Sequence, residues 1–309
     1  MNSLLKTISA AVLILFSATA IFAQSSSDAY EIYTFSSPES VNADVKTSGG
    51  SIEFMGTESD EIRVEMYVRR SGRYMSKSDT NLDEFDLDVD LRGSSLTAHA
   101  SRKSGNRGWF NSNNMMSISF KVYLPKNSMV KGVTSGGSVA AENLNGTVEL
   151  RTSGGTVRLT GISGTVDART SGGSINITDV DGSIDARTSG GSMRATNAHG
   201  IINLRTSGGS ITITDCSGQV DAHTSGGSIR ADLEEVSERL NLRTSGGSIT
   251  MTIPGGRGYN LDLSGNGVRA ELINFSGTSE RNRISGTVHG GGPEISARTS
   301  GGTVRVNYK

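Results

Sequence analysis

The tetrapeptide Thr-Ser-Gly-Gly begins at Thr134, Thr152, Thr170, Thr188, Thr206 and Thr224, returning every 18 residues without an insertion. A strict period of this length marks a repeat architecture, in which each unit buries its apolar side only by stacking on its neighbours. Further copies begin at Thr47, Thr244 and Thr299, which extends the architecture toward both ends through longer connections. Within each unit a glycine recurs at half the period, from Gly146 and Gly155 to Gly218 and Gly227. Two positions after these glycines stand apolar residues such as Val148, Val157, Val166, Ile175 and Ile184. Four positions after stand Leu, Ile or Ala, as at Leu150, Leu159, Ala168, Ile177 and Ala186. Alternation at period two with β-branched residues is the pattern of a half-buried strand, so each unit reads as two short strands and two turns.

The two turns differ, which is why the full period is twice the glycine spacing. One is Thr-Ser-Gly-Gly, whose glycine pair offers positive φ without steric cost. The other carries one apolar residue at its centre (Ile162, Val180, Ala198, Cys216), expected to point inward and fill the corner. A meander of hairpins tolerates an insertion at any turn, whereas a solenoid must keep a constant cross-section. The unbroken period therefore predicts an all-β chain, a parallel β-solenoid (β-helix or β-roll) with 18-residue coils of two short strands each. At ~4.8 Å per coil the six regular units make a rod of roughly 30 Å. The solenoid is assigned to residues 131–309, regular over about 131–250, after an irregular β N-terminal cap region at 24–130 that contains a loop at 101–114.

Stacking of residue i on i+18 lines the outward residues into columns. Glu149/Arg151, Asp167/Arg169, Asp185/Arg187, Asn203/Arg205 and Asp221/His223 set an acidic ladder beside an arginine ladder on one face. Arginines ~4.8 Å apart repel by about 1 kcal/mol in water, and the neighbouring carboxylates offset this. Thr160, Thr178, Thr196 and Thr214 form a threonine column on the other face. A flat Asp/Arg/Thr surface suits an extended glycan or a partner protein, which makes Arg151, Arg169, Arg187, Arg205, Asp167, Asp185 and Asp221 candidate binding residues. A second candidate is the basic loop at 101–114, where Trp109 and Phe110 among Arg102, Lys103 and Arg107 offer a contact tip for carbohydrate or an anionic envelope polymer.

Other chemistries find less support. Calcium-binding nonapeptide rolls carry carboxylates in their glycine turns. Here the glycine pair is followed by Ser-Ile, and Asp179, Asp181 and Asp215 read as ordinary Asx-turn residues. His99, His199, His223 and His289 lack zinc spacing and read as surface positions. Catalytic β-helices use clustered carboxylates, or a base beside them, in a lateral cleft. The acids here follow the repeat, as a structural ladder does, so no catalytic residue, metal or cofactor is expected. Cys216 is the only cysteine, which excludes an internal disulfide and leaves a small core residue. A net charge of −1 gives no reason to expect nucleic acid as a partner.

Residues 1–23 read as a secretory signal, with Lys6 as the positive region, an apolar run from Ile8 to Phe16, and a small-residue cleavage site at Ile21-Phe22-Ala23. That run is shorter than the roughly 20 residues of a spanning helix, and no second one follows. The mature chain is expected in the periplasm, on the cell surface or outside the cell.

Val-Lys-Thr-Ser-Gly-Gly-Ser-Ile (45–52), Val-Tyr-Leu-Pro-Lys (122–126), Thr-Ser-Gly-Gly-Ser-Val (134–139) and the closing Arg-Thr-Ser-Gly-Gly-Thr-Val-Arg-Val (298–306) follow one another in an order that resembles a known family. It is the bacterial adhesin-like family of β-solenoid envelope proteins, the domain of unknown function DUF4097. The resemblance covers nearly the whole mature chain and implies an exported, non-enzymatic binding or structural protein of the cell envelope. It carries no catalytic residues to transfer, and a fold alone does not give a function. The alternatives are a β-helical polysaccharide-processing enzyme and an envelope-stress or signalling ectodomain.

Overall fold

The computed structural model describes residues 28–103 and 116–309, and these carry 22 strands joined into one sheet system. The secretory signal read at 1–23 lies outside the described residues. The regular region consists of β10 (Val139–Thr152), β11 (Val157–Arg169), β12 (Ile175–Thr188), β13 (Met193–Thr206), β14 (Ile211–His223) and β15 (Ile229–Thr244). Each pairs in parallel with the next, and through β14 the offset is the expected one, as in Val157↔Ile175, Asp167↔Asp185 and Arg187↔Arg205. The residues read as inward-facing are buried, Val148, Val166, Ile184 and Leu204 among them. The parallel β-solenoid follows from the repeat as expected.

The ladder runs on through the apolar corner, so the two arms of a coil are one bent strand. In five of the six coils the bend comes from a residue with positive φ: Asn143 (58°), Asp179 (54°), Asn197 (51°) and Asp215 (53°), with Gly161 (64°) in β11; the irregular β15 has none. Asn and Asp are the side chains that tolerate this conformation best after glycine. The next residue points inward: Leu144, Ile162, Val180, Ala198 and Cys216 are all buried.

The glycine pair does not supply positive φ, contrary to the reading from sequence. Its second member is needed because the coils touch there. A Cβ on Gly173 would stand 1.9 Å from the Gly155 carbonyl oxygen, and one on Gly191 would stand 2.0 Å from that of Gly173. The first member is far less constrained, since a Cβ on Gly190 would meet nothing closer than 3.6 Å.

The threonine that opens the tetrapeptide is buried and does two jobs. Thr188 Oγ1 donates to the Gly173 carbonyl of the preceding coil at 2.8 Å and accepts the Gly191 amide of its own turn at 3.3 Å. Thr152, Thr170, Thr206, Thr224, Thr244 and Thr299 repeat both bonds. Thr-x-x-Gly is thus a buried hydrogen-bond column linking the coils, and serine and the first glycine fill the positions between.

At the ends the order in space departs from the order in sequence. β2 (Asn42–Thr47) pairs with β9 (Met129–Thr134), which brings Thr47 beside Thr134. β3 (Ile52–Thr57) lies between the first arm of β10 and β8 (Met116–Pro125). Likewise β21 (Glu294–Thr299) pairs with the second arm of β15, bringing Thr299 beside Thr244, and β22 (Val304–Tyr308) covers β16 (Ile249–Ile253). All nine copies of the tetrapeptide therefore stand in one column, roughly 40 Å long at ~4.8 Å per step. Antiparallel pairs lie beyond: β1 (Glu31–Ser36) on β4 (Glu61–Arg70) and β4 on β8 at one end, β17 (Tyr259–Ser264) on β20 (Arg283–Val288) at the other. The one irregular step of the regular region is β14 to β15, where two extra residues are absorbed at the corner by burying both Leu233 and Val236.

Candidate binding surfaces

Each coil shows solvent two faces, one from each arm. On the second-arm face, made by residues such as Ser183, Asp185 and Arg187, the columns read from sequence are in register from Glu149↔Asp167 to Asn203↔Asp221. The charges are paired along and across the coils. Glu149 is 2.9 Å from Arg151 and 3.3 Å from Lys131, Asp167 is 2.9 Å from Arg169 and 3.8 Å from Arg151, and Asp185 is 2.9 Å from Arg187. Arg205, beside Asn203 in its own coil, reaches Asp221 of the next at 3.7 Å. All seven ladder residues nominated from sequence thus lie on one face, where the four arginines are answered by the three aspartates together with Glu149.

The ladder also runs further than the exact period shows. His223 is followed in register by Arg243, and Arg243 by Arg298, which pairs with Asp262. The missed signal is the residue just before Thr-Ser-Gly-Gly, which is basic in Lys46, Arg151, Arg169, Arg187, Arg205, Arg243 and Arg298. Arg243 has no ion pair among the described residues, and the acidic column holds Asn241 at its level.

The first-arm face is built differently. Its outer column carries hydroxyls, Ser174, Ser192, Ser210 and Ser228, and the Oγ of Ser192, Ser210 and Ser228 accepts the backbone amide of the serine one coil on at 3.2–3.3 Å. The far column is Thr160, Thr178, Thr196 and Thr214, in register as expected. Between them runs Arg158, Asn176, Arg194, Thr212, Arg230, in which arginine occupies every second coil. Arg158, Arg194 and Arg230 are exposed, and none has an ion pair among the described residues. Sequence inspection for constant columns passed over them because they alternate.

Asp179 and Asp215 serve as the bend residues, with Asp179 accepting from the Asn197 amide at 2.6 Å. Among the described residues no group of His, Cys, Asp and Glu is gathered as metal ligands. His199 bonds Ser217 at 2.6 Å and Asn197 at 3.1 Å along the same corner, and His99 stands 3.3 Å from Asp44. Burial pushes the Cys216 thiol up, which fits an unreactive core residue. Trp109 and Phe110 lie outside the described residues. A groove of about 330 Å³ at one end is lined by Glu39, Glu58, Asp60 and Lys126. These acids depart from the repeat, yet all three are exposed and Glu58 is bound by Lys126. Among the described residues no helix is long and apolar enough to cross a membrane.

The family Toastrack DUF4097 matches residues 41–307. Similar solved structures include a lipid-binding candidate from Parabacteroides distasonis at 14% identity and TM-score 0.45, covering 89% of this chain and 96% of that one. An adhesin candidate from Bacteroides fragilis is similar at 12% identity and TM-score 0.36, covering 90% and 96%. Another adhesin candidate, from Parabacteroides merdae, has 13% identity and TM-score 0.36, covering 89% and 95%. No curated protein matches the chain.

Proposed function

The chain belongs to the Toastrack DUF4097 family, and from that premise we propose that it is an exported, non-enzymatic, adhesin-like scaffold of the cell envelope. Residues 1–23 are its export signal, 24–130 its N-terminal cap region and 131–309 the solenoid that presents its faces. The second-arm face, with Asp167, Asp185, Asp221, Arg151, Arg169, Arg187 and Arg205, is its docking surface for an extended glycan or envelope partner, with the loop of Trp109 and Phe110 as a second contact.

The observation that supports this reading is the charge pairing of the ladder. Carboxylates held by the arginines of their own repeat form a flat, near-neutral, donor-rich surface that hydrogen-bonds a partner without desolvating a bare charge. A carboxylate so engaged is also poorly placed to pass a proton to a substrate. The enzyme reading keeps one foothold, the groove of Glu39, Glu58 and Asp60. Retention of glycans and envelope polymers by the purified protein, with mass spectrometry of everything retained, separates the two. Retention without cleavage, weakened by Arg187→Ala, is expected. Cleaved product that disappears in Glu58→Gln would replace the scaffold with an enzyme.

A further inference from the structure

The first-arm face carries what the ladder lacks, namely regularly spaced cations without counterions. Arg158, Arg194 and Arg230 are separated by Asn176 and Thr212, so consecutive guanidinium groups lie two coils apart, roughly 9.6 Å. Arg305 continues the row in register through Thr250. The acids at the margins do not neutralise it: Asp232 is 2.8 Å from Lys309, and among the described residues neither Asp232 nor Glu142 has an ion pair with these arginines. Along both sides run hydroxyls, and the serines accept an amide through Oγ while keeping their own protons to donate.

We propose that this face binds an extended acidic polysaccharide along the solenoid axis, its carboxylates on Arg158, Arg194 and Arg230 and its hydroxyls on the flanking serine and threonine columns. Guanidinium forks match carboxylates bidentately. In a sugar chain extended with two-fold screw geometry, groups on one side recur every second sugar, a repeat of the same order as two coils. Nucleic acid fits poorly, because its phosphates are far denser than these arginines and the arms at 156–160, 174–178, 192–196, 210–214 and 228–232 hold no aromatic residue for a base to stack on. This inference stands apart from the reading of the second-arm face, and either can fail alone.

The test measures binding of the purified protein to oligogalacturonate, to an uncharged β-glucan and to polyphosphate, at low and raised salt. The triple variant Arg158→Gln, Arg194→Gln, Arg230→Gln is compared with the triple Arg169→Gln, Arg187→Gln, Arg205→Gln. Oligogalacturonate is expected to bind, weakening with salt, and to lose about tenfold or more of its affinity in the first triple with less than about twofold change in the second. The first triple breaks no ion pair, so it keeps the wild-type melting temperature, which separates lost binding from lost folding. Equal loss in both triples, binding indifferent to the first, or polyphosphate bound in place of oligogalacturonate would each overturn the proposal. Retention of the β-glucan alone would also overturn it while leaving the second-arm reading intact.

Discussion

The two faces are built on the same coils, at the same spacing, over the same core, yet they manage arginine in opposite ways. On the second-arm face an arginine stands in nearly every coil, at ~4.8 Å, and a carboxylate of the same or the next strand answers Arg151, Arg169, Arg187 and Arg205. On the first-arm face of the regular coils, Arg158, Arg194 and Arg230 stand in every second coil, and none has an ion pair among the described residues. Coulomb repulsion between unit charges in water falls from about 0.9 kcal/mol at ~4.8 Å to about 0.4 kcal/mol at roughly 9.6 Å. At the wider spacing the charges coexist without counterions, and at the closer one they need them. The difference teaches that a repeat can carry a self-sufficient surface and an open one on the same frame, and that pairing distinguishes them better than composition.

Because both faces hang on one frame, the largest effect comes from breaking it. Gly191→Ala drives a Cβ into the Gly173 carbonyl, which the parallel ladder holds in place, and should cost about 3 kcal/mol or more. Gly190→Ala has room and should stay within about 1 kcal/mol of wild type, read as the two denaturation midpoints. If the pair behaved alike, close approach would not be the reason for the second glycine. Thr188→Val keeps the shape but strands the Gly173 carbonyl and the Gly191 amide, with an expected loss of about 2 kcal/mol. Cys216, buried and with its thiol pushed up, gives a local readout: alkylation should be slow in the native protein and should quicken in both destabilised variants.

The comparison itself is sharpened by exchanging its terms. Thr196→Asp places a carboxylate two residues from Arg194, the spacing at which Asp185 holds Arg187, and should weaken oligogalacturonate binding about fivefold with little change in stability. Asp185→Asn makes the opposite exchange and frees Arg187. Its cost should be at most about 1 kcal/mol at low salt and should fade as salt screens the ladder, measured by thermal unfolding at two ionic strengths. The smallest effect belongs to Arg194→Gln, which breaks no ion pair and should shift stability by less than about 0.5 kcal/mol.

Much of this frame was legible before any coordinates. The period, the inward alternation, the corner plugs Ile162, Val180, Ala198 and Cys216, and the Asp/Arg columns all follow from residues that repeat at a fixed offset. What escaped was of three kinds. The role of the glycine pair was misassigned because a sequence shows that a side chain is missing, not what would occupy its place. The neighbours Thr47 and Thr134 are joined across an excursion of strands, and a period cannot report contacts between turns that the chain reaches out of order. The open row of Arg158, Arg194 and Arg230 repeats at twice the period, so a search for constant columns sees only the threonines beside it.

The contrast between the faces can be measured on the unaltered protein by arginine-selective modification with phenylglyoxal, followed residue by residue with mass spectrometry, with and without oligogalacturonate. The account predicts that Arg158, Arg194 and Arg230 react fastest and become shielded by the polymer, while Arg169 and Arg187, held by Asp167 and Asp185, react slowly and are indifferent to it. Equal reactivity on both faces, or shielding confined to Arg169 and Arg187, would contradict it.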